Sequence, residues 1–200
     1  MTDTDIFYTI EKKAIAEFKD RGSKFLAYAF PVTTAEQVKE CLQEVKKEHP
    51  KATHHCYAYR LGTDGNQFRA NDDGEPSGSA GKPILGQIDS KQLTDTLVIV
   101  VRYFGGTLLG VPGLINAYKM STALVLQLTP VIQKNVEVVY RLTFDYTILN
   151  DVMTIVKQQH CTVISQELQL FCTMNIGIPK ANLELCLLRL GDIHNLEIEG

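Results

Sequence analysis

The sequence predicts an α+β protein of two domains, residues 1–133 and 134–200. Three observations carry this expectation. Apolar residues recur with period two in some segments and at helical spacing in others, and the two patterns alternate along the chain. The charge balance changes near 129–134: residues 1–133 hold 15 basic and 15 acidic side chains, residues 134–200 hold 5 and 8. The segment beyond that break reads β-α-β-β-α-β, the order of a ferredoxin-like sandwich.

The elements follow in order. The stretch 8–18 alternates as one strand, with Glu11, Lys13 and Glu17 as its polar side. Residues 20–23 form a turn, and 25–30 is a second strand stopped by Pro31. Thr33 and Glu36 have the spacing of a capping box. Ala35, Val38, Cys41, Leu42 and Val45 then share one helix face, and His49-Pro50 ends it. The segment 54–61 is a third strand with two unlike faces: His55, Tyr57 and Tyr59 on one, His54, Cys56, Ala58 and Arg60 on the other. A turn over 62–66 leads to a short strand near Phe68, and a polar, glycine-rich stretch over 71–81 leads to a short helix near 82–88. Residues 97–103 are apolar on both faces, as in a central strand, with Arg102 near its end. Pro112 suits the first turn of a helix over 112–128, apolar nearly all round and therefore buried.

In the second domain Val136, Val138, Tyr140, Leu142, Phe144 and Tyr146 alternate as a strand. Leu149, Val152, Met153 and Val156 follow at helical spacing. Strands over 161–168 and 170–178 come next. Pro179 opens a leucine-rich helix closed by Gly191, and 193–199 is the last strand.

Composition removes several classes of function. Hydrophobic residues are 44% and charged residues 22% of the 200, which excludes a disordered or low-complexity chain. The apolar runs, 97–101 and 123–126 among them, fall far short of the ~20 residues of a membrane span, so no membrane partner is expected. The start, Met1-Thr2-Asp3-Thr4-Asp5, is acidic and polar where a secretory leader is basic and then apolar, and a cytoplasmic location is expected. With a net charge of -3, contact with nucleic acid has to come from a local patch. The five cysteines are scattered and form no CxxC, which fits reduced core thiols and excludes zinc-ribbon and thioredoxin-like motifs.

The stretch 71–82 is the most unusual in the chain. It carries Asp72, Asp73 and Glu75, the hydroxyls of Ser77 and Ser79, and Gly74, Gly78 and Gly81. It is no P-loop, because Pro76 and Pro83 stand where glycine and a hydroxyl residue are required. The run from Gly105 to Gly110 is no dinucleotide fingerprint, because Thr107 replaces its second glycine. Two readings of 77–81 remain: successive amides forming an anion-binding nest beside Lys82, or a solvated loop with turn glycines. The three carboxylates are an exposed acidic turn or oxygen ligands for Mg²⁺, without the 12-residue ladder of an EF-hand. His54 and Cys56 share a strand face that His55 does not, and no distant ligand cluster joins them. The face of His55, Tyr57 and Tyr59 either stacks a base or lines a core edge. No serine elbow precedes Ser77 or Ser79. No catalytic residue, metal or cofactor is assigned.

Three blocks carry a resemblance. They are His54-His-Cys-Tyr-Ala-Tyr-Arg60, the run from Asp72 to Leu85 (Asp-Asp-Gly-Glu-Pro-Ser-Gly-Ser-Ala-Gly-Lys-Pro-Ile-Leu), and the run from Val100 to Gly110 (Val-Val-Arg-Tyr-Phe-Gly-Gly-Thr-Leu-Leu-Gly). In order and spacing the chain resembles the YigZ/IMPACT family. The resemblance implies a first domain like the second domain of a small-subunit ribosomal protein and the fourth domain of elongation factor G. It implies a last domain like the fifth domain of that factor, and a translation-associated role. Pro112 and Asn116 depart from the family pattern, which has glycine and a basic residue there.

The resulting expectation is a non-catalytic regulator binding RNA, the ribosome or a ribosome-associated protein. The proposed site gathers His54, His55, Tyr57 and Arg60 from one strand, and Asp73, Glu75, Ser77, Gly78, Ser79, Gly81 and Lys82 from the polar loop. Arg102, Tyr103, Gly105 and Gly106 at the end of the central strand, and Lys119, complete it. Arg60, Lys82 and Arg102 would hold phosphates, and Tyr57 or Tyr103 would stack. The rival readings are an enzyme acting on a small phosphorylated or nucleotide substrate and a pure protein-protein module with an exposed apolar patch.

Overall fold

The computed structural model describes residues 5–200; the stretch Met1 to Thr4, on which much of the leader argument rests, lies outside the described residues. The α+β expectation holds. Phe7–Lys134 forms one compact unit, and Asn135–Gly200 with Asp5 and Ile6 forms another.

The larger unit is built on a five-stranded antiparallel sheet. Its strands are β2 (Ala14–Asp20), β3 (Ser23–Pro31), β4 (His54–Leu61), β5 (Gln67–Asn71) and β6 (Thr96–Tyr103), in the order β2-β3-β6-β4-β5. The expected single strand over 8–18 is two: β1 (Ile6–Ile10) ends before Glu11, and the chain re-enters the sheet at Ala14. β1 pairs instead with β7 (Val131–Asn135), a strand in what the sequence presents as a break. Its pairing is non-local, so no pattern near 131 announces it.

Both faces of the sheet are covered because β6 is apolar on both. Leu97, Ile99 and Val101 pack with Tyr28, Phe30 and Leu61 under Val38 and Val45 of α1 (Ala35–Glu48). Val98 and Val100 pack on the other face with Phe25, Ala27, Ala29 and Ala58. That face is closed by Ile84 and Ile88 of α2 (Gly81–Ser90) and by Leu114, Tyr118 and Val125 of α3 (Gly110–Leu128). The capping box of α1 sits one residue later than its expected start. Thr34 accepts the amide of Gln37 at 3.2 Å, and Gln37 reaches back to the Thr33 amide at 2.7 Å.

In the smaller unit β8 (Glu137–Asp145), α4 (Leu149–Gln158), β9 (Thr162–Glu167), β10 (Phe171–Pro179), α5 (Leu183–Gly191) and β11 (Glu197–Glu199) follow the predicted order. The antiparallel sheet order is β11-β8-β10-β9, with one face packed on both helices. Alternation explains the one-sided core: Leu142, Phe144, Cys172, Met174 and Ile176 point inward, while Arg141, Thr173 and Asn175 line the open face. Pro179 closes β10 instead of opening a helix, and α5 starts after a short 3-10 turn. The last strand is only three residues long.

Candidate binding site

The polar loop after β5 is folded by its own carboxylates. Asp72 accepts the amides of Gly78 at 2.8 Å, Ala80 at 3.0 Å and Gly81 at 2.8 Å. Burial opposes ionisation of Asp72, but the three donors outweigh it and hold the carboxyl below its usual range. Of the two readings of 77–81, the amides do converge on an anion, but one from within the chain, and that anion caps α2, whose N-cap residue Ala80 offers no side-chain acceptor. Asp73 accepts the amide of His55 at 2.6 Å, and its own amide donates to Asn71 Oδ1 at 2.8 Å. Its φ of 42° is left-handed, a conformation aspartate tolerates better than most residues. The buried Ser79 hydroxyl donates to the Pro76 carbonyl at 2.6 Å.

Glu75 is the hub beneath this loop. Its Oε1 accepts from Arg102 Nη1 at 2.7 Å and from the Tyr118 hydroxyl at 2.8 Å, with His54 Nε2 at 3.8 Å. Burial first, and then the neighbouring Cys56 and Glu75, push the Tyr118 hydroxyl far above its usual pKa, so it is a fixed donor. The Cys56 thiol, also raised by burial, lies 3.0 Å from the Asp72 carbonyl and 3.3 Å from Tyr118 Oη. His54 Nδ1 is 2.8 Å from the Asp73 carbonyl, which can only accept, so the proton is on Nδ1. The Arg102 guanidinium lies between the rings of Phe25 and Phe104, 5.6 Å from each centroid. Arg102 Nη2 is 3.5 Å from Ser23 Oγ, which also accepts the Gly105 amide at 3.3 Å. Arg102 Nε is buried with no partner.

Two glycines bring the β6–α3 loop to this hub. A Cβ on Gly105 would lie 1.9 Å from the carbonyl carbon of Gly22, so only backbone fits between the β2–β3 turn and this loop. Around Gly105 several apolar side chains are exposed: Phe104 is 48% and Leu108 83% accessible, and Val111 and Ile115 of α3 are also exposed, while Leu109 and Leu114 between them are buried.

The sheet register decides which expected site residues meet. His54 pairs with Arg102 in the β4–β6 ladder, so His54, Asp73, Glu75, Arg102 and Gly105 gather at one end of the sheet on the α2–α3 side. Ser77, Gly78, Gly81 and Lys82 border them, with the Lys82 stem running over Gly78. Arg60 is elsewhere. It pairs with Thr96 at the far end of β4, about 20 Å along an extended strand, and binds Asp89 and the Gly65 carbonyl, each at 2.8 Å. His55, Tyr57 and Tyr103 face the α1 side. Tyr103 Oη is 2.9 Å from His49 Nδ1, Tyr57 packs into that core, and His55 Nε2–H donates to the His49 carbonyl at 3.2 Å. Burial lowers the His55 pKa. Gly106 and Lys119 are exposed. Arg60, Lys82 and Arg102 therefore form no phosphate-holding triad: Arg60 shares the face of His54 but lies at the far end of the strand, paired with Asp89, and Glu75 neutralises Arg102. Sequence reasoning missed Tyr118 and Ser23, and weighed Cys56 only as a metal ligand beside His54; a tyrosine within a nearly all-apolar helix was the one available signal for Tyr118.

An antiparallel sheet sealed on both faces, with a carboxylate-folded loop and a buried Glu75–Arg102–Tyr118 hub, joined to a β-α-β-β-α-β unit, defines a class of two-unit α+β proteins. The Impact N-terminal domain matches residues 21–126, which contain every element of the hub. The IMPACT family member YvyE of Bacillus subtilis is 37% identical over 73% of this chain and 67% of its own length. The family member YigZ of Escherichia coli is 32% identical over 86% and 85%. The crystal structure of a hypothetical protein, 28% identical, superimposes with a TM-score of 0.77 over 98% of this chain and 97% of that one. The chain belongs to the IMPACT family.

Proposed function

We propose that this chain is a non-catalytic, translation-associated regulator, with Phe7–Lys134 as its IMPACT-type recognition domain and Asn135–Gly200 as a ferredoxin-like domain. The observation that carries this reading is the use made of the polar loop. Asp72 is satisfied by three amides and Glu75 by Arg102 and Tyr118. These carboxylates build a rigid platform instead of serving as acids or bases. What the platform presents outward is a recognition surface: Ser77, Lys82 and Lys119 with the apolar Phe104, Leu108, Val111 and Ile115. Mixed cationic and apolar groups suit a ribonucleoprotein surface better than bare RNA, which is held mainly by phosphate contacts. The test is co-sedimentation of the protein with ribosomes. Binding at low salt and release at high salt are expected, with a several-fold loss in a Lys82→Glu/Lys119→Glu variant and in a Phe104→Ala/Leu108→Ser variant. Wild type that stays in the supernatant, or variants that pellet like wild type, would overturn it.

One observation favours a second reading, an enzyme on a small phosphorylated substrate. His54 donates from Nδ1 to the Asp73 carbonyl and turns Nε2 towards Glu75 Oε1, 3.8 Å away, so an imidazole and a carboxylate face each other as an acid–base couple would. A large rise in melting temperature with one nucleotide or sugar phosphate, lost in His54→Ala, would select this reading.

A further inference from the structure

The sequence presents five unconnected cysteines, yet two of them are neighbours in the smaller unit. The sulfurs of Cys161 and Cys186 are 3.6 Å apart. Cys161 sits at the turn from α4 into β9, where its amide bonds the Val156 carbonyl at 2.9 Å. Cys186 lies on α5, in the same face as Asn182 and Arg189, at the i, i+4, i+7 spacing of one helix stripe. Both flanking residues tie that stripe to the end of α4. Asn182 Nδ2 donates to the Gln159 carbonyl at 3.0 Å, and Arg189 Nη2 donates to Gln158 Oε1 at 2.6 Å. The thiol pair is therefore clamped from both sides. The other cysteines stand apart: Cys56 and Cys172 point at the Asp72 and Gln169 carbonyls, and Cys41 lies on α1.

We propose that Cys161 and Cys186 form a peroxide-oxidisable dithiol site that closes to an intrachain disulfide and staples α5 to the α4–β9 turn. Closure brings the sulfurs from 3.6 Å to roughly 2.05 Å, a movement within the reach of side-chain rotation. Cys161 is the part-exposed member and meets the oxidant first; Cys186 is buried and resolves. The Cys161 thiolate attacks one peroxide oxygen, the O–O bond breaks, and the departing hydroxide takes a proton to leave as water. Cys186 sulfur then attacks the sulfenic sulfur of Cys161. The S–O bond breaks, and hydroxide leaves as water with the Cys186 thiol proton. Two thiols and one hydrogen peroxide give one disulfide and two waters; the sulfur pair loses two electrons and the peroxide gains them. Burial, together with the hydrogen bond to Cys186, pushes the Cys161 thiol up to about 12. Because the thiolate is the nucleophile, the site is slow at neutral pH, and its rate climbs about tenfold per pH unit from 7 to 9.

The test treats the full-length reduced protein with hydrogen peroxide at pH 7.5 and 8.5, followed by acid quench, thiol titration under denaturing conditions and proteolytic mass mapping. The expected result is a fall from five free thiols to three, a Cys161–Cys186 cross-linked peptide, reversal by dithiothreitol, and a higher melting temperature of the oxidised form. Cys161→Ser should keep all four remaining thiols, whereas Cys186→Ala, lacking the resolving thiol, should stop at a Cys161 sulfenic acid that dimedone traps and should form no cross-linked peptide. Five thiols retained, disulfides between chains, irreversible sulfinic acid at Cys161, or the same thiol loss in Cys161→Ser would overturn the proposal. The peptide map on wild type decides the matter even if a variant fails to fold.

Discussion

Arg102 and Glu75, 27 residues apart in the chain, form a 2.7 Å ion pair whose side chains are only 6% and 3% accessible. This contact joins the end of the central strand to the polar loop, and Tyr118 of α3 adds a second donor to the same oxygen. A buried pair is costly to break on one side, because the remaining charge stays uncompensated. Arg102→Met should destabilise the protein by about 3–5 kcal/mol. Converting Glu75 to methionine as well should recover part of that loss, since the orphan charge disappears. Urea unfolding of the single and double variants measures both values. A double variant less stable than Arg102→Met would show that the pair is not the organising contact.

Asp72 acts as a cap built from outside the helix. Asp72→Ala strips acceptors from three amides of the loop and of the α2 start. A loss of about 1–3 kcal/mol is expected, the range for donors left unsatisfied and for a lost N-cap. Amide exchange should accelerate at Gly78, Ala80 and Gly81 before it does in α3. Uniform acceleration across the unit would contradict a local role.

Two glycine substitutions should act in opposite directions. Gly105→Ala drives a Cβ into the Gly22 backbone and should cost several kcal/mol or prevent folding, because no flexible side chain can yield there. Gly86 lies inside α2 with nothing within 4 Å of a Cβ. Gly86→Ala should stabilise by about 0.5–1 kcal/mol, the difference in helix propensity. Thermal melts of the two variants against wild type are the measurement.

Acid should weaken the larger unit in two stages. Burial lowers the His55 pKa, so the folded form takes up its proton less readily than the unfolded chain. Its contribution is complete above the unfolded value of about 6.5 and declines as the pH falls below that. Asp72 is likewise depressed, and its contribution is complete above about pH 3.9 and is lost below it. Melting temperature from pH 8 to pH 3 should therefore fall first below about 6.5 and again below about 3.9. His55→Gln should remove the first decline and Asp72→Asn the second. An unchanged first decline in His55→Gln would assign it to another group.

Much of the architecture was legible because it is local. Alternation in 54–61, the doubly apolar 97–103 and the leucine-rich 183–191 each carry their own period. The misreadings fall where pairing is non-local or one residue decides. β7 exists because β1 lies beside it, and Pro179 completes β10 because Glu137 lies opposite. The candidate site was legible as an inventory more than as an arrangement: His54, Glu75 and Arg102 do converge, but Arg60, Tyr57 and Tyr103 belong to other surfaces.

Alone, the order of residues determined the two-domain α+β class, the family motifs and which residues were too polar to be packing. Periodicity and composition carry that information without reference to distant chain. Only the tertiary structure decided what those polar residues touch. It turned Asp72 inward onto three amides, set Arg102 against Glu75 and placed Cys161 beside Cys186. Each of these contacts depends on the register and packing of elements far apart in sequence, and a period-two or period-3.6 pattern holds no record of its partner.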